Sequence, residues 1–336
     1  MKVLMVTGMY PTKEMPSFGT FVKTQVESLR YEGVEVDVFF INGRKNALNY
    51  LWAFPRFWAR ILSHRYDLIH SHYLHTNIIA RAQFFYPLVF TNHYELGTKM
   101  QRIASRYFSP LADRVIAVSQ DTKEVGHLTN AVVIPCGISF DLFKVMPQEE
   151  ARKKLGLPMD KKLILWAGEY FRPEKRFDIV QKTIALLKEK RPNVELVLVS
   201  GKPLMEVPIY MNACDALFLV SDCEGSPMVI KEAMACNLPI VSVPAGDVAK
   251  VIEGTEGCYL CSQDPQDVAE KLELVLQWGK RTNGREKIGH MEIGAISRRI
   301  ISVYEELLKE KKGRVLNWFW FWSRNGKRNH EKGMYC

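Results

Sequence analysis

Two glutamates eight positions apart, Glu224 and Glu232, stand in the run Glu224-Gly-Ser-Pro-Met-Val-Ile-Lys-Glu232-Ala-Met-Ala-Cys-Asn-Leu-Pro. An apolar run, Ala216–Val220, precedes them and a second, Leu238–Val243, follows. Strand-like segments on both sides predict a helix between, with Ser226 as its cap, Pro227 in its first turn and Asn237 at its end. A helix that starts after a parallel strand points unpaired N–H groups and the positive end of its dipole at whatever lies there, so anions are favoured. Carboxylates are poor phosphate ligands but accept hydrogen bonds from hydroxyls. Phosphates at the helix start with hydroxyls on either side describe a nucleotide sugar. Gly225, Ser226, Pro227, Met228 and Val229 would then line the donor between the two carboxylates.

Three further segments carry candidate chemistry. Gly19 ends a loop before a predicted helix, where a missing side chain lets backbone approach a phosphate. Gly168 ends the strand Lys162–Gly168, and Arg172 and Lys175 follow it. Cations at the C-terminal edge of a parallel sheet offset the charge of a departing diphosphate. His93, in Phe90-Thr-Asn-His-Tyr-Glu95, lies just past a predicted strand and can orient a sugar or an acceptor hydroxyl. A plain loop, a solvated charged turn and a structural histidine are the bland alternatives for the three. His70, His72 and His75 look like metal ligands, but a reading in which they alternate faces of a strand end argues against a shared ion. Cys258-Tyr-Leu-Cys261 has redox spacing with no second pair nearby and reads as a buried strand.

The elements that position these residues repeat a strand–helix alternation, which predicts parallel α/β sheets. Strands are expected at Val3–Thr7, Val34–Ile41, Leu68–Ser71, Leu88–Asn92, Arg114–Ser119 and Ala131–Pro135, with a helix over Thr20–Tyr31. The pattern restarts near residue 145. Residues 1–145 and 146–290 therefore read as two domains with a cleft between, 291–312 as a helix crossing back to the first domain, and 313–336 as an aromatic and basic tail.

The Glu-x7-Glu run in its Glu-Gly-Ser-Pro context resembles the retaining glycosyltransferases of family 4. Asp113–Ser119, Val133-Ile-Pro-Cys-Gly-Ile138 and Phe171–Asp178 resemble further segments of that family, so the likeness covers roughly residues 1–310. Ser200-Gly-Lys-Pro and Tyr210–Asp215 resemble members that build surface polysaccharides, of the teichuronic-acid type. The resemblance implies a GT-B fold: two Rossmann-like domains with parallel sheets facing across a cleft. It implies a retaining transfer from a UDP- or GDP-sugar to a glycan or lipid-linked acceptor. It places a glycine loop, here Gly19, opposite the donor pyrophosphate and a histidine, here His93, near the reacting carbon. Glu169 follows Gly168 where relatives carry arginine, which passes the phosphate role to Arg172 and Lys175. Between Gly201 and Tyr210 the chain is shorter than many relatives, which reduces the wall expected at the base.

The chain has no Asp-x-Asp, the motif that holds a divalent ion in other transferases, so metal-independent transfer without a cofactor is expected. The net charge of +9 fits an anionic partner. It also admits a basic nucleic-acid-binding protein, but no nucleic-acid motif accompanies it and none is expected to bind. A non-catalytic sugar-nucleotide binder and a sugar-nucleotide epimerase of the same fold are the other readings. Scattered cysteines fit a reducing cytosol. Tyr50–Arg60 and the tail Trp318–Trp322, with Arg324, Lys327 and Arg328, mix aromatics with cations. Such composition suits a headgroup interface and predicts a cytoplasmic protein held on the inner face of the plasma membrane. For Tyr50–Arg60 an ordinary helix packed on the sheet is an equal reading.

Overall fold

A computed structural model of the chain describes residues 1–93 and 98–330, with side chains through Lys311. The first half alternates β1 (Lys2–Thr7), α1 (Thr20–Tyr31), β2 (Glu35–Phe40), α2 (Asn49–Ser63), β3 (Leu68–His72), α3 (Leu74–Ala80), β4 (Leu88–Asn92), α4 (Lys99–Phe108), β5 (Arg114–Ala117), α5 (Gln120–Val125) and β6 (Val132–Val133). The second contains α6 (Gln148–Leu155), β7 (Lys162–Ala167), α7 (Phe177–Lys190), β8 (Val194–Val199), α8 (Val207–Ala213), β9 (Ala216–Leu219), α9 (Met228–Ala235), β10 (Ile240–Ser242), α10 (Val248–Ile252) and β11 (Cys258–Leu260). Then follow α11 (Pro265–Trp278), α12 (Gly284–Lys287) and α13 (Ile293–His330).

Each half forms one parallel sheet. The strand orders are β2-β1-β3-β4-β5-β6 and β11-β10-β9-β7-β8. In both, the chain reverses its direction of travel across the sheet beside the first strand, between β1 and β3 and between β7 and β9. The crevice outside the carboxyl ends of strands at such a point is where open α/β sheets take ligands. These are two Rossmann-like domains.

Continuous apolar runs explain the central strands. Leu4 and Val6 of β1 pack under α2, while Val3 and Met5 pack under α1 and α13. A strand covered on both faces has no polar side, so its sequence cannot alternate. Helix α1 buries Val22, Val26 and Leu29, one stripe at helical spacing. Gly33 leaves it at φ 87°, a conformation that costs a side-chain-bearing residue and that glycine adopts freely. Helix α13 returns to the first domain, where Ile296, Ile300, Tyr304 and Leu307 enter the core beneath β1 and β3. Burying one such aliphatic side chain stabilises the fold by roughly 1.5–3 kcal/mol. The connecting segment is fixed by Arg285, whose guanidinium donates to the carbonyls of Phe140, Phe143 and Ala235.

Several strand ends are shorter than the apolar runs suggest. Val220 and Leu238 lie outside β9 and β10, though both are buried, because hydrophobic runs mark burial and not the limits of the hydrogen-bonded ladder. Helix α13 continues through residue 313 without a break. The side chains of Trp318–Trp322 lie outside the described residues. Among the described residues no helix is long and apolar enough to cross a membrane.

Candidate active site

Helix α9 begins where β9 ends, at the sheet's point of reversal. Pro227 caps it by backbone geometry, without a side-chain hydrogen bond. The expected cap, Ser226, instead donates its hydroxyl to Asp247 Oδ2 at 2.6 Å. The N–H groups of Met228 and Val229 belong to the first turn, which has no intrahelical acceptors. Asn237 leaves the helix at φ 55°, as its sequence position predicts.

Glu224 sits in the loop before this helix, its side chain only 6% exposed. Lys175 Nζ donates to Glu224 Oε1 at 2.6 Å. The two loops are held in register by a backbone bond from Asp222 N–H to the Glu174 carbonyl. Lys175 and Glu224, chosen separately in the sequence, are thus one ion pair at the carboxyl edge of the second sheet. Arg172 takes another course: its Nε donates to Glu174 at 2.6 Å. Glu232 lies one turn into α9, and burial pushes its carboxyl up to about 7.

The glycines serve the backbone. Gly19 has φ 70°, and a Cβ there would lie 2.5 Å from the Met9 carbonyl carbon. Its lack of a side chain lets the loop after β1 fold back on itself. Gly168 continues the sheet by donating to the Val199 carbonyl. Gly225 is buried, and its carbonyl would meet a Cβ on Gly246 at 2.6 Å. Gly246, at φ 62°, therefore presses the loop after β10 onto the Glu224–Gly225 backbone. The run Pro244-Ala-Gly-Asp247 at a strand end was the available signal for it.

A second ion pair escaped the sequence reading. Lys231 is fully buried, and its ammonium donates to the Cys136 carbonyl at 3.1 Å and to Ser226, with Asp247 Oδ2 at 3.3 Å. Cys136 belongs to the segment after β6, so this lysine ties the first domain to helix α9. Pro227, Ile230, Lys231 and Met234 fall on one helical face, and their spacing already put a lysine among apolar residues.

On the opposite edge, His93 follows β4. Its Nε2 lies 2.8 Å from His72 Nδ1, and its Nδ1 lies 3.7 Å from Cys136 Sγ. Phe21 packs against it at 5.0 Å between ring centres. His70 continues the array, hydrogen-bonded to Tyr304 and Thr91. Burial, reinforced by the neighbouring histidines and for His93 also by the Lys231 ammonium, holds His70 and His93 well below the usual histidine range, and burial alone lowers His72 to about 3. His70 and His72 share one face of β3, with ring centres 4.4 Å apart, which corrects the expectation that they alternate. Residues two apart in a strand point the same way. His75 lies elsewhere, against Tyr50. No group of three metal-ligating side chains occurs among the described residues. Cys258 and Cys261 are both free thiols.

The two edges meet across cavities. One of about 280 Å³ is lined by Arg102, Asp121 and Thr122 from the first domain and by Cys223, Glu224 and Gly246 from the second. A larger one, about 620 Å³, lies toward the connecting segment, between Pro16, Thr20 and Lys23 and the pair Leu204 and Met205. Glu224, Lys175 and His93 do not line the larger space, so size alone does not mark the chemistry. The short segment after β8 forms part of its wall. Between the domains, Arg44 stacks over Phe18 at 4.5 Å and reaches Glu169 at 3.4 Å.

Residues 13–142 match the model described as Glycosyltransferase Family 4, and residues 161–277 match Glycosyl transferases group 1. The chain carries a glycosyltransferase family 4 domain and a glycosyltransferase group 1 domain. The group 1 match covers its second domain. A D-inositol 3-phosphate glycosyltransferase from Thermobispora bispora is 24% identical, the match covering 63% of this chain and 63% of that protein. The chain thus spans less than two thirds of that relative. The putative teichuronic acid biosynthesis glycosyltransferase TuaC of Bacillus subtilis is also 24% identical, with 81% of this chain and 88% of TuaC covered. Sucrose-phosphate synthase from Thermosynechococcus elongatus superposes with a TM-score of 0.76 at 18% identity over 92% of this chain and 99% of that one. HepE of Anabaena, solved with UDP-glucose, gives 0.71 at 17% identity over 91% and 99%. The architecture is that of the GT-B glycosyltransferases.

Proposed function

We propose that this glycosyltransferase moves a hexose from a nucleoside-diphosphate sugar to a hydroxyl of a glycan or lipid-linked acceptor, with retention at the anomeric carbon and without a metal. The observation that carries the reading is the Lys175–Glu224 pair at 2.6 Å, set beside the first turn of α9. A diphosphate arriving there meets an ammonium and free backbone N–H groups, which supply positive potential in place of a divalent ion. Glu224 accepts hydrogen bonds from sugar hydroxyls, and Glu232 from those of the ribose. HepE binds UDP and UDP-glucose on the same fold, which supports a uridine donor. The likeness to TuaC supports an envelope-polysaccharide acceptor.

In the reaction, the bond from the anomeric carbon to the phosphate oxygen breaks and its electron pair leaves with the diphosphate. The acceptor oxygen bonds to the same carbon, and its proton passes to the departing phosphate on the same face. The acceptor enters through the 280 Å³ cavity, whose first-domain wall offers Asp121 and Thr122. His93 supports the sugar as a neutral ring, its two nitrogens engaged by His72 and Cys136.

Thermal shift against UDP- and GDP-sugars tests the donor, because a ligand that binds only the native state raises its apparent stability. A rise with UDP-glucose that survives EDTA is expected. No rise with any nucleotide sugar contradicts the donor, and transfer that vanishes with EDTA and returns with Mg²⁺ contradicts the metal-free scheme.

A further inference from the structure

The outer layer of the first domain inverts the usual pattern. Helix α2 buries Ala53, Phe57 and Ile61 toward the sheet. Its opposite face carries Leu48, Leu51, Trp52 and Leu62, with Leu51 and Trp52 66% and 67% exposed. A surface helix normally turns charges outward; one apolar on both sides belongs in a core or in lipid. Helix α4 buries only Ser105 and exposes Met100, Ile103 and Tyr107, interleaved with Lys99, Arg102 and Arg106. Helix α3 touches both helices and adds exposed Ile78. The three form one continuous apolar and cationic face.

Charge decides what covers it. None of α2, α3 and α4 contains an Asp or Glu. Between Asp37 and Asp113 the sequence has only two carboxylates, Asp67 and Glu95. Arg56, Arg65, Lys99 and Arg106 are exposed in this stretch. Apolar and aromatic groups among cations, with no acid to repel a phosphate, match a bilayer headgroup region. Position adds a second argument: Arg102 of α4 also lines the 280 Å³ cavity that opens on Glu224.

We propose that the α2–α3–α4 face is a docking surface for an anionic membrane, seated so that a lipid-linked acceptor enters the Glu224 cavity from the bilayer. The acceptor part rests on the transferase reading; the docking surface does not. Apolar insertion and attraction to anionic lipid act together, so both components are needed. The aromatic tail, beyond the described side chains, is a separate candidate for the same task.

Sedimentation of the full chain with vesicles tests this. Binding is expected to phosphatidylcholine vesicles containing phosphatidylglycerol, and to fall when the anionic lipid is omitted or salt is raised to about 1 M. Leu51→Glu, Trp52→Glu and Ile103→Glu together should weaken partitioning by roughly tenfold or more. Leu274→Glu, an exposed change on α11 of the second domain, should not. The triple variant should keep its melting temperature and its response to UDP-glucose, which excludes misfolding. Equal pelleting of wild type and triple variant overturns the proposal and moves binding to another surface such as the tail. No pelleting of the wild type overturns it too. A concentration-dependent dimer abolished by the triple variant, without vesicle binding, would give the face to a second copy and overturn it likewise. Vesicle binding without any nucleotide-sugar response leaves the face standing and sinks the transferase reading instead.

Discussion

The two sheet edges that face each other across the cleft are built from opposite chemistry. The second domain presents ion pairs, Lys175 with Glu224 and the buried Lys231 with Asp247. The first presents neutral rings, His70, His72 and His93, whose burial keeps them uncharged at neutral pH. The difference fits the proposed transfer, in which the second domain would hold the diphosphate and the first the sugar ring and the entering hydroxyl. A diphosphate needs fixed positive potential, and a pair already formed in the free protein needs little reorganisation to supply it. A sugar ring and an entering hydroxyl need shape and hydrogen bonds without a competing charge. Lys231 joins the two sides through the Cys136 carbonyl.

The strongest way to break this contrast is to remove the buried ammonium. Lys231→Met removes the buried ammonium that pairs with Asp247 and should cost about 3–5 kcal/mol of stability, seen as a lower denaturation midpoint. Changing Asp247→Asn in the same chain should restore much of the loss. An unchanged midpoint in Lys231→Met would show that the charged edge does not depend on the pair.

Glu224→Gln attacks the same edge with less damage to the fold. Losing a charge-assisted hydrogen bond in the transfer step should cost about 1.5–3 kcal/mol, roughly a 10- to 100-fold fall in rate. Lys175→Gln should fall similarly, and the double variant should lose less than the product of the two because they share one interaction.

Stability against pH sharpens the comparison further. Glu232 has its carboxyl raised from an ordinary 4.5 to about 7, so the native state holds its proton more tightly than the unfolded chain. Its contribution is present below pH 4.5 and is lost as pH rises through 7, by up to about 3 kcal/mol. Glu232→Gln should flatten that part of the profile in denaturant titrations. The smallest effect is expected from the neutral edge: His93→Gln should leave the shape of the pH–rate curve between 6 and 8 unchanged, because the native histidine does not titrate there.

Most of the frame was legible in the sequence. Helix Thr20–Tyr31 and strand Leu88–Asn92 have the limits that their patterns predict, the helix set between Gly19 and Glu32-Gly33 and the strand starting after Pro87. Glu224 and Lys175 were found because strand-end loops in a parallel α/β chain converge on one edge. What stayed hidden depends on distant pairing. The link from Lys231 to Asp247 and Cys136 joins helix α9 to two loops, and no local pattern names a partner so far along the chain. Ser226 failed as a helix cap for the same reason, because Asp247 offers its hydroxyl a charged acceptor. The apolar outer face of α2 was visible in Tyr50–Arg60, but only the fold shows which side is turned outward.

The most direct test of the charged donor edge is a calorimetric titration of UDP-glucose into wild-type protein and Glu232→Gln across pH 5.5 to 8. In the proposed function ribose hydroxyls donate to an ionised Glu232, so binding would expel its proton below pH 7. Wild-type affinity should therefore rise with pH, by up to about tenfold per unit below 7, with protons released to the buffer. Glu232→Gln should bind more weakly at pH 8, with no such slope. Equal affinity and an equal slope in the two proteins would contradict the account.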